Sequence, residues 1–417
     1  MKRLSWLSIL VLPLSLACTS EDAPTNQRPA NVILISIDTL RADHLASYGY
    51  EKATSPHLDR LRADAVQFEQ AIAQAPSTLH SHASILSSLL PHHHRASWAA
   101  KTRLPEEVTS LPEILHSAGY QTAAFTGGGQ MDRVFGLDQG FDVYRQPGSE
   151  RFQGTVRSAL EWLQEAKQAP FFLFLHSYEP HHPYAPAPEY ARLFEHDYSG
   201  PLPAAISVDL LRQINRDEVE IDADDLEHII ATYDAEIRSM DDGLGHLVEW
   251  LRQMELYDDT MIVFTSDHGE EFGEHGRIGW HSHSLYDELL RVPLVVKLPG
   301  AAHAGASVSD VVRSLDIAPT ILATIGLPAP EDFAGTSLFP LIEGTPAPGL
   351  VAVSRMDRSS RRDISSVRTA SWKLYRNQLF NLDLDAEEQW DAAVNHPDVV
   401  ADLERQLVEA VNSRRSF

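Results

Sequence analysis

Two acidic residues stand at the ends of hydrophobic segments, where a charge needs a partner. The segment "NVILISID" ends in Asp38, and "TMIVFTSDHG" carries Asp267 followed directly by His268. Burying such groups is costly unless they are paired. A divalent cation bound by these side chains would pair them, and mixed oxygen and nitrogen ligands favour Zn or Mn over Ca. A helix N-cap with a solvated histidine is the alternative interpretation of "SDHG".

A hydroxyl-rich segment, "QAPSTLHSHASILSSLLP" (74–91), contains a candidate nucleophile, Thr78. A threonine hydroxyl is a poor nucleophile at neutral pH, but bonding to a metal lowers its pKa. The "SHASIL" that follows predicts a helix, whose N-terminal amides would favour an anionic group. The combination suits attack on the phosphorus or sulfur of an anionic ester. An ordinary N-cap chosen from several hydroxyls is the alternative.

Histidines are concentrated in loops that follow predicted strands. "HSYEPHHPY" contributes His176, His181 and His182, and "GEHGRIGWHSHS" contributes His275, His281 and His283. A single histidine is more often a satisfied polar residue than a ligand, but clusters in glycine- and proline-rich loops indicate a metal site. The run 92–94 in "PHHHR" is the weakest such case and is typical of a solvated loop.

Alternating strands and helices would position these residues. Short apolar runs predict strands at 31–38, 121–127, 170–178, 260–267 and 291–300, and amphipathic spacing predicts a long helix at 225–254. This alternation indicates an α/β fold with a mostly parallel sheet flanked by helices, and ligands bind such sheets beyond the carboxyl ends of the strands. After about residue 350 the pattern changes to hairpins and a terminal helix, which predicts a small C-terminal α+β subdomain (351–417).

The N-terminus and the composition restrict where the protein works and what it binds. A basic start and an apolar run predict a signal peptide (1–17), and "LSLAC" resembles a lipobox with Cys18 as the lipidated residue, followed by a polar tether (18–30). A plain cleaved signal peptide is the alternative. Cys18 is the only cysteine, so no intrachain disulfide forms. A net charge of −25 argues against binding nucleic acid.

An ordered set of motifs resembles the sulfatase family of the alkaline phosphatase superfamily. The set includes "NVILISIDTLRADHLASYGY", "GLDQGFDVY", "FLFLHSYEPHHPY", "SDHGEEFGEHG" and "SLDIAPTILATIGLP". The resemblance implies an alkaline-phosphatase-like α/β sandwich as the catalytic domain (31–350). It also implies a metal centre at the strand ends and a nucleophile that attacks a sulfate or phosphate ester.

Several positions depart from the well-known sulfatases, in which a Cys or Ser in Cys/Ser-x-Pro-x-Arg becomes formylglycine. Thr78 occupies that position, with His80 at the proline and His82 at the arginine. Threonine cannot become formylglycine. Thr39 replaces the second acid of the family's Asp-Asp pair, and "TGGGQM" stands where a Lys-x-His motif is usual.

These departures resemble the phosphodiesterase and phosphoethanolamine transferase branches, which use a metal-bound threonine. That resemblance implies a metal site of Asp38, Thr78, Asp267 and His268. It also implies a role for His181 and for His281, or the nearby His283, in binding a second metal, stabilising an oxyanion or protonating the leaving group. Arg41 is expected either to contact the anionic group or to form a structural ion pair.

We therefore expect an extracytoplasmic, lipid-anchored hydrolase that uses one or two divalent ions. Its substrates would be phosphate, phosphonate or sulfate esters of small molecules, glycans or lipids. Three alternatives are a true sulfuric ester hydrolase, a phosphoethanolamine-type transferase and an inactive metal-binding lipoprotein. The transferase alternative is weakened because such proteins usually have several membrane helices, and no segment after residue 18 is apolar enough to span a bilayer.

Overall fold

The computed structural model describes residues 30–147, 151–166, 170–194, 197–345, 349–356 and 364–412. The expected signal peptide, Cys18 and the tether up to residue 29 lie outside the described residues. The strands are β1 (Asn31–Ile37), β2 (Val66–Ile72), β3 (Gln121–Phe125), β4 (Val143–Arg145), β5 (Phe171–Ser177), β6 (Thr260–Ser266), β7 (Glu271–Phe272), β8 (Ile278–Trp280), β9 (Arg291–Lys297), β10 (Ser307–Arg313), β11 (Ala352–Met356), β12 (Ile364–Arg368), β13 (Trp372–Tyr375) and β14 (Gln378–Asn381). The α-helices are α1 (Pro56–Ala63), α2 (Thr78–Ser87), α3 (Pro91–His94), α4 (Leu111–Ser117), α5 (Phe152–Ala166), α6 (Pro188–Phe194), α7 (Val208–Ile214), α8 (Ala223–Gln253), α9 (Asp287–Leu290), α10 (Ile317–Thr324), α11 (Phe339–Ile342) and α12 (Pro397–Asn412).

Eight strands form the central sheet, in the order β10-β2-β9-β6-β1-β5-β3-β4. Strand β9 pairs antiparallel with both β2 and β6, and the other pairs in this sheet are parallel. The central strands read as continuous apolar runs because helices cover both faces of the sheet. The mostly parallel α/β fold expected from the sequence is confirmed.

The two faces of β1 belong to two separate hydrophobic cores. Val32 and Leu34 lie in the core that includes side chains of α2, α4 and α10. Ile33 and Ile35 lie in the core that includes side chains of α1, α5 and α8. Because successive strand residues point to opposite faces, one apolar strand anchors both layers of the sandwich.

The parallel register brings three strand ends to one place. Ile37 of β1 is paired with Ser177 of β5 on one side and with Ser266 of β6 on the other. The backbone N–H of Asp38 then donates to the carbonyl of Ser177 at 3.0 Å. Side chains that follow these strands therefore meet at a single edge of the sheet.

A second sheet, β11-β12-β13-β14, is antiparallel and packs with α12 around a small third core, to which Leu90 and Leu315 of the catalytic part also contribute. It joins the main sheet just before α2: the Ser354 hydroxyl donates to the carbonyl of Ala73 at 2.6 Å, and the Arg355 N–H donates to the carbonyl of Gln74 at 2.9 Å. The C-terminal α+β unit expected from the sequence thus directly contacts the segment that leads to Thr78. Within the described residues, no helix has the length and apolarity needed to cross a membrane.

Candidate active site

Thr78 is the first residue of α2 and faces the carboxylate at the end of β1. Its hydroxyl donates to Oδ2 of Asp38 at 3.2 Å, and both side chains are fully buried. Ser77, which precedes the helix, has an extended backbone and offers no side-chain cap to α2. Gln130 supplies one instead, since its Oε1 accepts from the N–H of Leu79 at 3.3 Å.

Asp38, Asp267 and His268 form a compact cluster in which one ligand atom from each lies within 4.8 Å of the others. Nε2 of His268 is 3.8 Å from Oδ1 of Asp38 and 3.5 Å from Oδ2 of Asp267. All three atoms are buried and have no hydrogen-bond partner among the described residues. Such atoms are costly without a partner, and two carboxylates with one imidazole suit Zn or Mn. The residues present therefore fit the divalent cation that the sequence predicts.

Hydrogen bonding fixes which nitrogen of His268 faces this cluster. Its Nδ1 lies 3.0 Å from the carbonyl of Gly269, which can only accept, so Nδ1 carries the proton and Nε2 presents a lone pair. This is the form in which histidine binds metals. A second bond orients the neighbouring carboxylate, because the N–H of His268 donates to Oδ1 of Asp267 at 2.9 Å.

Burial dominates the electrostatics of the cluster. It raises the pKa of Asp38, although the positive charges of His181 and His268 act in the opposite direction. It also raises the pKa of Asp267, and the adjacent Asp38 carboxylate raises it further. Burial alone would lower the pKa of His268, but the two carboxylates reverse the direction and raise it. Two buried carboxyl groups as close as those of Asp38 and Asp267 both stay ionised only if a positive charge lies beside them.

A second group of histidines stands beside the first. Ligand atoms of His181, His182 and His281 lie within 4.8 Å of one another, and the rings of His268 and His281 are 4.6 Å apart. Glu270 contacts two members of this group: its Oε1 is 2.8 Å from Nδ1 of His281, and its Oε2 is 3.3 Å from Nδ1 of His182. Burial lowers the pKa of both His181 and His281 to about 4.

Two residues named from the sequence lie elsewhere. His283 contacts Glu271, with Nε2 to Oε2 at 2.6 Å, and is not part of the three-histidine group. Arg41 is 6% exposed and forms ion pairs with Asp43 at 2.7 Å and Glu274 at 2.6 Å. Of the two roles considered for Arg41, this geometry favours the structural ion pair.

His82 and His176 border the site, although the sequence assigns neither of them as a ligand or catalytic residue: His82 matches only the arginine position of the family motif, and His176 belongs only to a histidine cluster. His82 lies one turn after Thr78; its Nδ1 donates to the carbonyl of Thr78 at 2.8 Å, and its Nε2 accepts from the hydroxyl of Ser36 at 2.9 Å. His176 of β5 accepts from the N–H of Gly127 and places Nε2 3.5 Å from Oδ2 of Asp38. Besides its match to the motif arginine, the spacing of four residues between Thr78 and His82 is the signal that places His82 on the same face of α2.

The "TGGGQM" segment lies against Tyr178, which borders the histidine group. A side chain at Gly127 would clash with the ring of Tyr178, and one at Gly129, where φ is +60°, would meet the Tyr178 hydroxyl, so both positions favour glycine. The Tyr178 hydroxyl accepts from the N–H of Gln130 at 2.9 Å, and its ring meets that of His181 edge-on at 5.5 Å. Through Gln130, whose side-chain oxygen accepts from the N–H of Leu79, the segment contributes a neutral amide that caps α2 next to Thr78.

A sequence model of the family named Sulfatase matches residues 30–327. The chain is 26% identical to N-acetylglucosamine-6-O-sulfatase of Bacteroides thetaiotaomicron, over 92% of this chain and 85% of that protein. It is 29% identical to the multifunctional alkaline phosphatase superfamily protein PehA of Trinickia caryophylli, over 76% of this chain and 78% of that protein.

Solved structures show the same fold. The phosphonate monoester hydrolase of Agrobacterium radiobacter superposes with a TM-score of 0.77 at 21% identity, covering 92% of this chain and 96% of that one. A structure in complex with D-glucosamine-2-N,6-O-disulfate superposes equally well, with a TM-score of 0.77 at 21% identity over 92% of this chain and 97% of the other.

Proposed function

This chain belongs to the sulfatase family of ester hydrolases, and from that premise we propose that it hydrolyses phosphate or phosphonate esters with Thr78 as the nucleophile. The observation that carries the proposal is the buried Thr78 hydroxyl at the start of α2, 3.2 Å from Asp38. A bound divalent cation would neutralise the buried carboxylates, polarise the ester and make the threonine hydroxyl more acidic. Asp38, Asp267 and His268 would hold it.

The reaction proceeds in two steps. The Thr78 oxygen attacks the phosphorus while the bond to the leaving alcohol breaks, and the hydroxyl proton passes toward Oδ2 of Asp38, which already accepts its hydrogen bond. Water then attacks the same phosphorus and releases Thr78 from its ester. His82 holds the Thr78 carbonyl and so fixes the first turn of α2 during both steps.

The three-histidine group acts on the side of the leaving oxygen. The Nδ1 atoms of His281 and His182 point at Glu270, and that of His181 points at the His182 carbonyl at 2.5 Å. Each ring therefore keeps its Nδ1 proton and presents Nε2 to its neighbours. Because burial lowers the pKa values of His181 and His281 to about 4, the rings are neutral near pH 7, so this donor set favours a second cation such as Zn over an imidazolium that protonates the departing alcohol.

Sulfate-ester hydrolysis is the second candidate, favoured by the family match and by the glycan sulfatase among the relatives. It would have to proceed without formylglycine, because Thr78 stands at the position of the modified residue. The 29% identity with the multifunctional phosphatase-superfamily protein and the neutral Gln130 segment support phosphoryl chemistry instead.

Turnover of matched esters tests the proposal. The soluble chain starting after Cys18 is assayed on p-nitrophenyl phosphate diesters, phosphonates and sulfate, with elemental analysis of bound metal and with Thr78→Ala in parallel. Zinc or manganese with phosphoester turnover that is lost in Thr78→Ala is the expected result. Calcium with sulfatase turnover that survives Thr78→Ala would contradict it. Bound metal with no turnover of either ester class would favour the inactive binding protein.

We also propose that Cys18 anchors the protein to a membrane through a lipid outside the cytoplasm. The basic start, the short apolar run and "LSLAC" support this. Metabolic labelling with a radioactive fatty acid should mark the full-length protein but not Cys18→Ala. Labelling of both, or of neither, would contradict lipidation at this residue.

A further inference from the structure

His176, near the end of β5, is a polar side chain at the site that takes no part in the two steps of the proposed reaction. Its ring is completely buried, and its Nε2 has no hydrogen-bond partner among the described residues. Most buried polar atoms in folded proteins have a partner, and an exception beside an active site is often part of the catalytic arrangement. The surroundings of His176 indicate what this nitrogen does.

The backbone of the glycine-rich segment fixes the tautomer of His176. The N–H of Gly127 donates to Nδ1 at 3.3 Å, so Nδ1 presents its lone pair and the ring is neutral with its proton on Nε2. His268 is the opposite case, because its Nδ1 carries the proton and its Nε2 presents the lone pair. Of these two histidines, His268 therefore offers a ligand to a cation, whereas His176 offers a hydrogen-bond donor.

The Nε2–H of His176 lies beside the carboxylate of Asp38, with Nε2 at 3.5 Å from Oδ2. The same oxygen accepts from the Thr78 hydroxyl at 3.2 Å. Oδ1 has no hydrogen-bond partner among the described residues and lies 3.8 Å from Nε2 of His268. The two oxygens of Asp38 are therefore not equivalent, since Oδ2 contacts the nucleophile and Oδ1 belongs to the metal cluster.

The separation of 3.5 Å between His176 and Asp38 is a few tenths of an ångström longer than an ordinary N–H···O hydrogen bond. Hydrogen bonds in active sites are often long before the substrate binds and shorten in the complex. A carboxylate oxygen has two lone pairs, so Oδ2 can accept from His176 and from Thr78 at the same time. A small shift of the ring therefore supplies the acceptor that the buried N–H lacks.

One short loop contacts both His176 and the helix that carries the nucleophile. Gly127 donates to the His176 ring, and Gln130, three positions later, accepts from the N–H of Leu79 at 3.3 Å. Leu79 directly follows Thr78 in the first turn of α2. The same loop therefore places the ring of His176 and the start of α2 relative to each other.

We propose that His176 is a positioning residue whose Nε2–H donates to Oδ2 of Asp38, which keeps this oxygen at the Thr78 hydroxyl and leaves Oδ1 to the cation. His176 is not itself a ligand, because the lone pair of its ring accepts from Gly127. Carboxylates that bind metals are usually held by hydrogen bonds of their own, and losing such a bond typically costs about 10- to 100-fold in metal affinity or activity. The reaction that Asp38 serves rests on the proposed function, whereas the tautomer of His176 does not.

Two substitutions of similar size separate the two hydrogen bonds of His176. Glutamine places an amide N–H near the position of Nε2, so His176→Gln keeps a donor for Asp38. Asparagine places an amide oxygen near the position of Nδ1, so His176→Asn keeps an acceptor for Gly127. We expect His176→Asn to lower kcat by about 10- to 100-fold with little change in KM, because His176 acts on the nucleophile rather than on the substrate. His176→Gln should recover most of this loss.

Melting temperatures and bound metal are measured for both variants, so that misfolding is recognised. Similar melting temperatures with the glutamine variant clearly more active would support the proposal. The reverse order of activity would mean that the ring serves only to hold the loop through Gly127, and it would overturn the proposal. Activities that follow the melting temperatures would overturn it as well.

The protonation pattern of the ring is a readout that needs no turnover. Long-range ¹H–¹⁵N correlation spectra of the soluble chain, labelled with ¹⁵N in its histidine rings, show which nitrogen carries the proton. The signals of His176 are those that His176→Gln lacks. We expect a proton on Nε2 and none on Nδ1, both in chelated protein and after Zn is added. A proton on Nδ1, or loss of the Nε2 proton when Zn binds, would make His176 a metal ligand and contradict the positioning role.

Failure of this role and failure of the proposed function are distinguishable. If the wild type cleaves no phosphate or phosphonate ester, the proposed function fails, while the spectra still report the tautomer of His176. If the wild type is active and His176→Gln is no more active than His176→Asn, the proposed function stands and the positioning role fails.

Discussion

The carboxylate of Glu270 lies 2.8 Å from Nδ1 of His281, and it is completely buried. Its second oxygen contacts Nδ1 of His182 at 3.3 Å and accepts from the Tyr184 hydroxyl at 3.1 Å. Burial alone would raise the pKa of Glu270, but the contacts with His281 and His182 hold it well below its ordinary value. A single ionised carboxylate thus orients two of the three histidines.

Replacing Glu270 by Gln should lower kcat/KM by about 10- to 100-fold, the usual cost of removing a group that orients a ligand. In a glutamine amide, an NH₂ group replaces one of the two carboxylate oxygens, so only one of the two imidazole N–H groups would still face an acceptor. Glu271→Gln is the matched control, because Glu271 contacts His283 instead. Steady-state kinetics and metal content are measured for both variants, and equal losses in the two would argue against a specific role for Glu270.

Removing the divalent cation should lower the melting temperature as well as abolish turnover. Without it, Asp38 and Asp267 remain as two buried carboxylates whose pKa values are raised mainly by burial. A ligand that binds only the folded state stabilises it in proportion to RT ln(1 + [L]/Kd). Thermal unfolding of chelated protein with increasing Zn or Mn should show rising stability.

The matched variant for this measurement is Asp267→Asn, which keeps the shape of the site and removes one charge. It should have a melting temperature that changes little with added Zn or Mn. A shift as large as that of the wild type would mean that the stabilising ion binds elsewhere.

The strands that carry the first cluster could be predicted because their signal is local. β1 and β6 are buried on both faces, so each reads as an uninterrupted apolar run, and the acid that follows marks the end of the strand. Parallel neighbours then bring Asp38 and Asp267 together without further information. Thr78 needed the family resemblance, since several hydroxyls nearby were equal candidates.

The second group could not be predicted in full because its geometry depends on contacts distant in sequence. His281 and His283 differ by two positions after the hairpin of β7 and β8, and only the packing of that hairpin decides that His281 meets Glu270. The ion pair that engages Arg41 likewise depends on Glu274, which is 233 residues away in the sequence. His176 comes to the site through the register of β5, which periodicity does not specify.

Lys373 should contribute strongly to the free energy of unfolding, because it lies where the C-terminal sheet meets the catalytic part. It is completely buried, with Nζ 2.7 Å from Asp287 and 2.9 Å from Glu388. Lys373→Met leaves the buried Glu388 without its cation, although Asp287 keeps its ion pair with Arg368 at 2.9 Å, and breaking a buried pair typically costs about 3–5 kcal/mol. The free energy of unfolding is measured by denaturant titration, beside Arg376→Met at an exposed neighbouring position, and a similar small effect in both would contradict a role for the buried ion pair.

Stability should decline in mild acid because buried histidines resist protonation, and His94 is the clearest example. It is fully buried between Ser84 and the His80 carbonyl, and burial, helped by the positive charges of His80 and His92, lowers its pKa to about 3. In the unfolded chain the pKa returns to about 6.5. Between these values the unfolded state binds the proton and the folded state does not, so stability falls as pH falls from about 6.5 toward 3, by at most about 1.4 kcal/mol per pH unit for one group.

Denaturant titrations at pH 7.5, 6 and 5 should show this slope, and His94→Gln should reduce it, whereas His303→Gln at an exposed position should leave it unchanged. An unchanged slope in His94→Gln would assign the acid sensitivity to other groups.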